Sequence, residues 1–418
     1  MSLFDSFSLH SHLRTSFGPH SDLIRTSMAS VEGTRRFVQR LVASGRLHPA
    51  WSSPGRRLGP LHCTPLGFGA YRLGADGLPS LKLAAELVNV FDTSSHYENE
   101  SFLGPVLGES SLREEFILCT KVGHVRGEPP KGAVPIKGDD WHCIEPSFVE
   151  AEVRACKERL RTVPDIVFLH NPEYMLSARL KQQVPIADAW DEMYQALFQA
   201  FKALETLCSE GSISSGYGVS SNFLSCSFSV TGRPNLYESL VLDRVLDAAS
   251  AAAGAQGLSQ HRFQVAQLPL NLFESGAVLG RGAQMEGDCF MAERLGVSLL
   301  TNRPLNALPM PGVSAGDWGR SASHLQIREA KPMGAVPSLL KRVLKEVLGE
   351  GPLQQLALRV AASAPVACAL NGARRPAYVE DLQAVLQAEP LTQTQVEKAM
   401  RAVRSMAEEL GCDTRGLW

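Results

Sequence analysis

Residues 116–121 read Phe116-Ile117-Leu118-Cys119-Thr120-Lys121, an apolar run that ends in a cation. The same pattern returns at Asp165-Ile166-Val167-Phe168-Leu169-His170, and Val88-Asn89-Val90-Phe91-Asp92 ends on an acid. Short apolar runs without polar alternation are typical of parallel strands that are buried on both faces. A titratable residue at the end of such a strand needs partners or a task, because a lone charge is costly to bury.

Eight runs of this kind are spread along the chain, and stretches of helical periodicity separate them. The runs lie around Pro65–Ala70, Leu87–Phe91, Phe116–Thr120, Ile166–Leu169, Ile213–Val219, Phe263–Ala266, Val297–Thr301 and Val366–Leu370. Between the fourth and fifth runs, residues 190–207 carry an apolar stripe at helical spacing. Strands that alternate with helices predict a parallel α/β fold, and eight of them predict a closed (β/α)8 TIM barrel.

Composition narrows the class of protein. The 418 residues are 44% hydrophobic and 20% charged, with a net charge of −2, so no basic field predicts a nucleic-acid partner. No apolar run reaches the roughly 18–20 residues of a membrane-spanning helix. The nine cysteines are scattered and form no C-x-x-C pair, which argues against a disulfide framework and a metal site. These features predict a soluble intracellular protein with reduced thiols.

The first 57 residues differ from the rest. They hold eight arginines, no lysine and three acids, a net charge of about +5, and serine is frequent. This composition predicts an N-terminal extension over 1–57, either an organelle transit peptide or a disordered tail, ahead of a barrel over 58–410. A transit peptide would place the protein in a mitochondrion or plastid, and a plain tail would leave it in the cytoplasm.

Four titratable residues lie at or just after predicted strand ends: Asp92, Tyr97, Lys121 and His170. Each has an ordinary structural alternative, such as a turn cap, a surface charge or a hydrogen-bonded core histidine. Together, at the mouth of one barrel, they predict a proton-transfer cluster. A phenol has a pKa of about 10, and a neighbouring ammonium would pull that pKa toward the working range.

At these residues the chain resembles the aldo-keto reductases. Phe91-Asp92-Thr93-Ser94-Ser95-His96-Tyr97-Glu98-Asn99-Glu100 is similar to the family's Asp-Thr-Ala string and its tyrosine, Cys119-Thr120-Lys121 to its lysine strand, and Leu169-His170-Asn171-Pro172-Glu173 to its histidine strand. The resemblance implies that Tyr97 is the general acid/base, that Lys121 tunes it, that Asp92 pairs with Lys121, and that His170 positions the carbonyl.

The resemblance continues downstream and implies a bound NADPH or NADH. Tyr217-Gly218-Val219-Ser220-Ser221-Asn222 looks like the segment that holds the nicotinamide carboxamide, and Gln267 resembles the glutamine that meets the same group. Arg303 is expected at the pyrophosphate, and Gly372 and Arg374 at the adenine-side phosphates. The implied cofactor-binding residues are therefore Ser220, Ser221, Asn222, Gln267, Arg303, Gly372 and Arg374. The general pattern is closer to the branch with galactose and arabinose dehydrogenases than to aldose reductases.

On the substrate side, Trp141 and Asn171 are the candidates to contact a small-molecule carbonyl compound or sugar. Trp141 lies in a long predicted loop, residues 126–146, and could equally pack beneath that loop. Two alternatives remain open at this point: a cofactor-binding regulatory or redox-sensing subunit with little turnover, and a barrel of another class such as a phosphate-binding isomerase. The sequence does not indicate an oligomeric state.

Overall fold

Each of the eight apolar runs contributes a strand to one closed barrel. The computed structural model describes residues 28–52, 55–222, 224–225, 240–280, 287–306 and 336–409. The barrel strands are β1 Leu66–Gly69, β2 Val90–Asp92, β3 Ile117–Val122, β4 Ile166–His170, β5 Gly216–Ser220, β6 Phe263–Pro269, β7 Ser298–Asn302 and β8 Cys368–Asn371. Neighbouring strands pair in parallel, and β8 closes the sheet against β1. The predicted (β/α)8 TIM barrel is therefore confirmed.

Helices surround the barrel. They are α1 Val31–Ala43, α2 Leu78–Ala84, α3 Glu100–Leu103, α4 Pro146–Leu160, α5 Tyr174–Lys181, α6 Ile186–Ser209, α7 Leu242–Ala255, α8 Gly276–Leu279, α9 Asp288–Arg294, α10 Val336–Leu348, α11 Leu353–Ser363, α12 Pro376–Gln387 and α13 Gln393–Glu409. The apolar stripe over 190–207 lies within α6. Within the described residues, no helix combines the length and the apolarity that crossing a membrane would require.

Short elements complete the connections. The strands outside the barrel are Arg57–Leu58, Leu61–His62, His124–Arg126, Val134–Lys137, Asp140–His142, Leu224–Ser225 and Leu240–Val241, and the short helical turns are Pro49–Ser52, Ala75–Gly77, Ser95–Tyr97, Gly104–Gly108 and Arg113–Glu115. Three of these strands pair as a small antiparallel sheet after β3. Residues 126–146, predicted as a loop, therefore carry regular structure.

Side chains alternate along each barrel strand between the barrel interior and the helices, as the strand geometry requires. In β4, Ile166 and Phe168 lie in the apolar cluster that fills the barrel. The residues between them, Val167 and Leu169, pack against the helices instead. The residue that ends β4, His170, therefore falls on the interior face at the mouth of the barrel.

Part of the predicted N-terminal extension packs on the barrel. Helix α1 begins after Ser30, whose Oγ accepts a hydrogen bond from the Gly33 amide at 2.8 Å. Phe37 and Leu41 are buried against the same cluster as Phe116. Arg40 is paired with Glu115 at 2.6 Å. Residues 28–52 thus pack on the outer layer beside the start of β3, and residues 1–27 lie outside the described residues.

A buried ion pair joins the elements at this end. The Arg113 guanidinium lies 2.8 Å from the Asp165 carboxylate, with side-chain exposures of 1% and 0%. Arg113 also donates to the Val163 carbonyl at 2.7 Å. Asp165 accepts hydrogen bonds from the amides of Ala29 (2.9 Å) and Leu118 (2.8 Å). The N-terminal segment, β3 and the entry to β4 are therefore held by one carboxylate.

We expect Arg113→Ala to lower the free energy of unfolding by about 3–5 kcal/mol, because it leaves the Asp165 carboxylate buried without its counter-charge. The matched control is Arg154→Ala, which removes an exposed pair to Glu210 at 3.2 Å and should cost below about 1 kcal/mol. Urea denaturation followed by circular dichroism measures both. Equal losses in the two variants would contradict the structural role of the buried pair.

Candidate active site

The alternation of side chains along the strands brings three of the predicted residues to the rim at the carboxyl ends of the barrel strands. Asp92 ends β2 two residues after the interior Val90, and Lys121 follows the interior Cys119 on β3. Together with His170 on β4, these side chains point inward at the carboxyl ends of three successive strands. Active sites of TIM barrels lie at this end. The predicted cluster of Asp92, Lys121 and His170 is thus assembled by strand parity alone.

The fourth residue, Tyr97, lies on the helical turn Ser95–Tyr97 that follows β2. The Ser94 hydroxyl accepts a hydrogen bond from the His96 amide at 3.3 Å at the start of this turn. Just beyond it, the Asn99 side chain donates to the Ala70 carbonyl at 2.6 Å and accepts from the Thr93 hydroxyl at 2.5 Å. These bonds fix the turn against β1 and β2, so that the ring of Tyr97 is held over the rim.

Lys121 is the centre of the cluster. Its Nζ donates to the Asp92 carboxylate and, at 2.9 Å, to the Thr93 carbonyl, and it lies 5.3 Å from the centroid of the Tyr97 ring. The side chain is 1% exposed. Burial is the largest single influence and lowers the pKa of Lys121, but the charge and hydrogen bond of Asp92, together with Tyr97, outweigh it, and the pKa is raised. The ammonium therefore stays charged beside the phenol.

The pKa of Tyr97 is raised above its ordinary value. Burial is the larger cause, and the Lys121 ammonium acts in the opposite direction without overcoming it. Asp92 and Tyr71 add to the upward shift, and Arg303 opposes it. At neutral pH the phenol of Tyr97 is therefore protonated. It can give up its proton only to a neighbouring group that becomes strongly basic.

His170 belongs to a group of imidazoles that the sequence reasoning missed. The ring of His124 lies 4.4 Å from that of His170, and the ring of His96 lies 5.1 Å from that of His124. His142 Nε2 lies 2.7 Å from the carbonyl oxygen of His170. Burial first, and then the neighbouring charges, lower the pKa of His170. The described residues include no group of His, Cys, Asp or Glu side chains arranged to hold a metal ion.

The signal for these missed histidines was weak. His124 and His142 lie in the segment after β3, which carries no apolar periodicity of its own. Only the antiparallel pairing of His124 with His142 brings both rings to the face that covers His170. Trp141, the predicted substrate residue, lies between Asp140 and His142 on the same strand, so alternation places its side chain on the other face. Trp141 is therefore not brought to the imidazole group.

Asn171, the other predicted substrate residue, lies beside the cluster and adopts a left-handed backbone with φ 50°. Its Oδ1 lies 3.4 Å from His124 Nε2, and its Nδ2 donates to Glu173 at 2.8 Å. Burial raises the pKa of Glu173 to about 7. Asn171 thus links the imidazole group to a buried acid, and Glu173 is a further residue of the site that sequence reasoning left without a role.

Gln267 connects the cluster to the predicted cofactor segment. Its Nε2 donates to Asp92 at 3.0 Å, and its Oε1 accepts from the Ser220 hydroxyl at 2.9 Å and from Asn302 Nδ2 at 3.1 Å. The backbone amide of Ser221 donates to the Gln267 carbonyl at 3.0 Å. Asn302 Oδ1 is buried and has no hydrogen-bond partner among the described residues. A primary carboxamide fits this position, because its NH2 group can donate to Asn302 Oδ1 while its carbonyl oxygen accepts from a neighbouring amide or hydroxyl group.

The remaining predicted cofactor residues follow neighbouring strand ends. Asn222 comes two residues after β5 and is half-buried. Arg303 follows β7 with an exposed side chain and a left-handed backbone, φ 58°. Gly372 and Arg374 follow β8 and are exposed. All four therefore lie at the same end of the barrel as Tyr97, and Arg374 precedes the first turn of α12, where a helix terminus favours an anion.

The imidazole group should make the stability of the fold depend on acid pH. Burial lowers the pKa of His124 to about 4 and of His142 to about 3, below the unfolded value of 6.5. Between those values the unfolded chain takes up protons that the native state refuses, so the free energy of unfolding falls as the pH drops from about 6.5 to about 4. Each histidine contributes a slope of about 1.4 kcal/mol per pH unit.

The variants His124→Gln and His142→Gln test this prediction. Urea denaturation of each variant and of the native chain at several pH values between 4 and 8 gives the slopes, and the difference from the native chain isolates one imidazole. We expect each variant to lose part of the slope below the unfolded pKa of 6.5 and to match the native slope above it. An unchanged slope in both variants would show that neither ring is held neutral by the fold.

Comparison with known proteins agrees with this geometry. Residues 65–225, from the start of β1 to just after β5, match the model of the aldo/keto reductase family. This match confirms the resemblance found in the sequence, and it covers the strands that carry Asp92, Tyr97, Lys121 and His170. No curated protein matches the chain.

Two solved structures show the same fold. The holo form of an aldo-keto reductase (AKR11C1) from Bacillus halodurans is 22% identical, with a TM-score of 0.54, over 83% of this chain and 95% of that one. The glycerol dehydrogenase AKR11B4 from Gluconobacter oxydans is 20% identical, with a TM-score of 0.56, over 85% of this chain and 96% of that one. The expected kinship with sugar dehydrogenases such as those for galactose is not confirmed by these matches. At identities of 20–22% these two structures show the fold, and the family match is confined to residues 65–225.

Proposed function

We propose that this aldo-keto reductase-type barrel reduces the carbonyl of an aldehyde or ketone with NADPH or NADH, or oxidises the corresponding alcohol or aldose, with Tyr97 as the general acid/base. The observation that carries the proposal is the buried Lys121 ammonium, held by Asp92 and by the Thr93 carbonyl, 5.3 Å from the centroid of the Tyr97 ring. This arrangement suits a reaction in which negative charge develops on an oxygen atom that then takes up a proton, because the phenol can supply the proton and the ammonium can stabilise the phenolate that remains.

The directions of the pKa shifts support these roles. Because the pKa of Tyr97 is raised, the phenol holds its proton until a carbonyl oxygen beside it becomes basic. The phenolate that remains is then stabilised by Lys121, whose charge Asp92 maintains. His170 lies with its ring centroid 6.1 Å from that of Tyr97, and its lowered pKa keeps it neutral, so it can orient the carbonyl oxygen without donating a full charge.

The amide ring around Gln267 supports the cofactor part of the proposal. Ser220, Asn302 and Gln267 would hold the carboxamide of a nicotinamide, and Arg303, Gly372 and Arg374 would meet the phosphates further along the rim. A reduced nicotinamide, if held there by these residues, would supply the hydride. The contribution of the chain is to fix the position of this group next to Asp92 and Lys121, because Gln267 is itself bonded to Asp92.

Tyr97→Phe should lower kcat by about 10²–10⁴, since it removes the proton donor and leaves the ring in place. Oxidation of NADPH and NADH, followed at their absorbance band with a panel of aldehydes, ketones and sugars, measures the loss. Cofactor affinity, measured by fluorescence titration, should stay unchanged because the phenol lies apart from the amide ring.

The matched control is Tyr71→Phe. Its ring centroid lies 5.0 Å from that of Tyr97, but the side chain is 56% exposed and donates to none of the cluster residues described. We expect native kcat in this variant. Full activity in Tyr97→Phe would refute the acid/base role, and tight cofactor binding without turnover on any substrate by the native chain would favour a regulatory subunit instead.

Cofactor preference is proposed to depend on Arg374, whose guanidinium is exposed just before α12. If it pairs with a 2′-phosphate, Arg374→Gln should weaken NADPH binding by about tenfold and leave NADH binding unchanged. Arg375→Gln is the control, because the Arg375 guanidinium lies 6.0 Å from the Tyr378 ring. Separate titrations with both cofactors decide the matter, and equal affinities in Arg374→Gln and the native chain would remove Arg374 from the cofactor site.

A further inference from the structure

A cavity of about 520 Å³ lies at the end of the barrel opposite the candidate active site. Ser298 lines it at the start of β7, whereas Asn302 at the other end of the same strand bonds to Gln267. Val366, just before β8, also lines the cavity. Since barrel strands run from one end to the other, this cavity is separate from the site around Tyr97, and a ligand bound in it would not depend on the proposed function.

One wall of the cavity carries a guanidinium, Arg56, that has no carboxylate partner among the described residues. The half-buried Arg56 donates from Nη1 to the Val366 carbonyl at 2.5 Å, and its Cζ lies 5.3 Å from the centroid of the Trp51 ring. Among the described residues, no carboxylate lies within ion-pair distance of Arg56. Burial lowers the pKa of Arg56, and only the thiols of Cys63 and Cys368 oppose that shift.

Arg56 differs from Arg113 in its charge partner. Both guanidinium groups lie at the same end of the barrel, but Arg113 is matched by the Asp165 carboxylate at 2.8 Å. Arg56 is instead partly withdrawn from water and faces an open space without a carboxylate among the described residues, which costs stability. An anion entering the cavity would remove the cost.

The lining supplies further donors. The Ser298 hydroxyl accepts a hydrogen bond from the Gly59 amide at 3.1 Å, and the Ser363 hydroxyl accepts one from the Leu391 amide at 2.9 Å. Each oxygen already serves as an acceptor, so its own O–H remains to donate. The exposed Arg57 lies at the rim as a second cation, and the exposed Glu293 partly offsets it. The described lining thus places two hydroxyl groups and a second cation around the same cavity as Arg56.

We propose that this cavity binds a small organic anion, with a carboxylate or phosphate group paired to Arg56 and an apolar body lying against the wall that includes Trp51, Pro390 and Leu391. The planar guanidinium presents two parallel N–H groups to such an anion. The single carboxylate of Glu293 at the rim disfavours a ligand with many charges. The volume admits a ligand of the size of a substituted aromatic acid or a phosphate monoester.

The experiment titrates the full-length chain with benzoate, phenyl phosphate and the neutral analogue phenol by isothermal titration calorimetry. We expect one of the two anions to bind and phenol to bind at least about tenfold more weakly, because it lacks the charge-assisted hydrogen bonds. The stronger of the two anions identifies the head group as carboxylate or phosphate. Arg56→Gln should lose the binding by a similar factor, and its unfolding midpoint without ligand shows whether it remains folded.

Two further variants test whether the anion binds in the cavity or elsewhere on the chain. Ala50→Trp fills the cavity from its rim and keeps Arg56, so it should abolish binding with the charge intact. Arg374→Gln removes an exposed cation at the opposite end of the barrel and should leave anion binding unchanged. Failure of both anions to bind at millimolar concentration, or native affinity in Arg56→Gln or in Ala50→Trp, would overturn the proposal. Loss of binding in Arg374→Gln would place the anion in the cofactor region and would overturn it as well.

Discussion

Side-chain alternation on short buried strands is the constraint on which the rest of this molecule depends. In a closed parallel barrel every second residue faces the interior, so the last interior position of each strand reaches the mouth. Asp92, Lys121 and His170 hold that position, and Gln267 faces inward one interior position before the end of β6. A shift of one residue in any of these strands would turn its polar end residue into the helix layer, where it would be buried without partners. The register that packs the core is therefore also the register that assembles the site.

Each end of the barrel contains a buried ion pair, and the two pairs differ in their surroundings. At the N-terminal end, Arg113 and Asp165 neutralise each other and are saturated by backbone bonds, which is a purely structural arrangement. At the carboxyl end, Lys121 is neutralised by Asp92 yet remains next to an ionisable phenol. The first pair holds elements together, whereas the second places a buried cation beside a neutral phenol. Under the proposed function, that cation would stabilise the phenolate formed when Tyr97 gives up its proton.

Two segments outside the eight strands, the one that carries the imidazole group and the N-terminal helix, pack on the barrel at its opposite ends. His124 and His142 come from a small antiparallel sheet that is absent from the simple strand-helix repeat, and they keep His170 neutral by enclosing it. Helix α1, from the arginine-rich start of the chain, packs outside the opposite end through Phe37, Leu41 and the pair of Arg40 with Glu115. The small sheet and helix α1 are both added to a barrel whose eight strands already fix the position of the candidate site.

The sequence by itself determined the barrel, because eight apolar runs and the helical stripes between them encode strand and helix locally. It placed Asp92, Lys121 and His170 by their positions at the ends of those runs, and Gln267 by the family resemblance. It also located Tyr97 through its spacing from Asp92. Only the tertiary structure decided that His124, His142, Glu173 and Asn302 join the site, that Trp141 faces away from the imidazole group, and that α1 and Arg56 form part of the opposite end. Those outcomes arise from pairing between segments distant in sequence, and no local pattern of apolar and polar residues records which distant partner a side chain will meet.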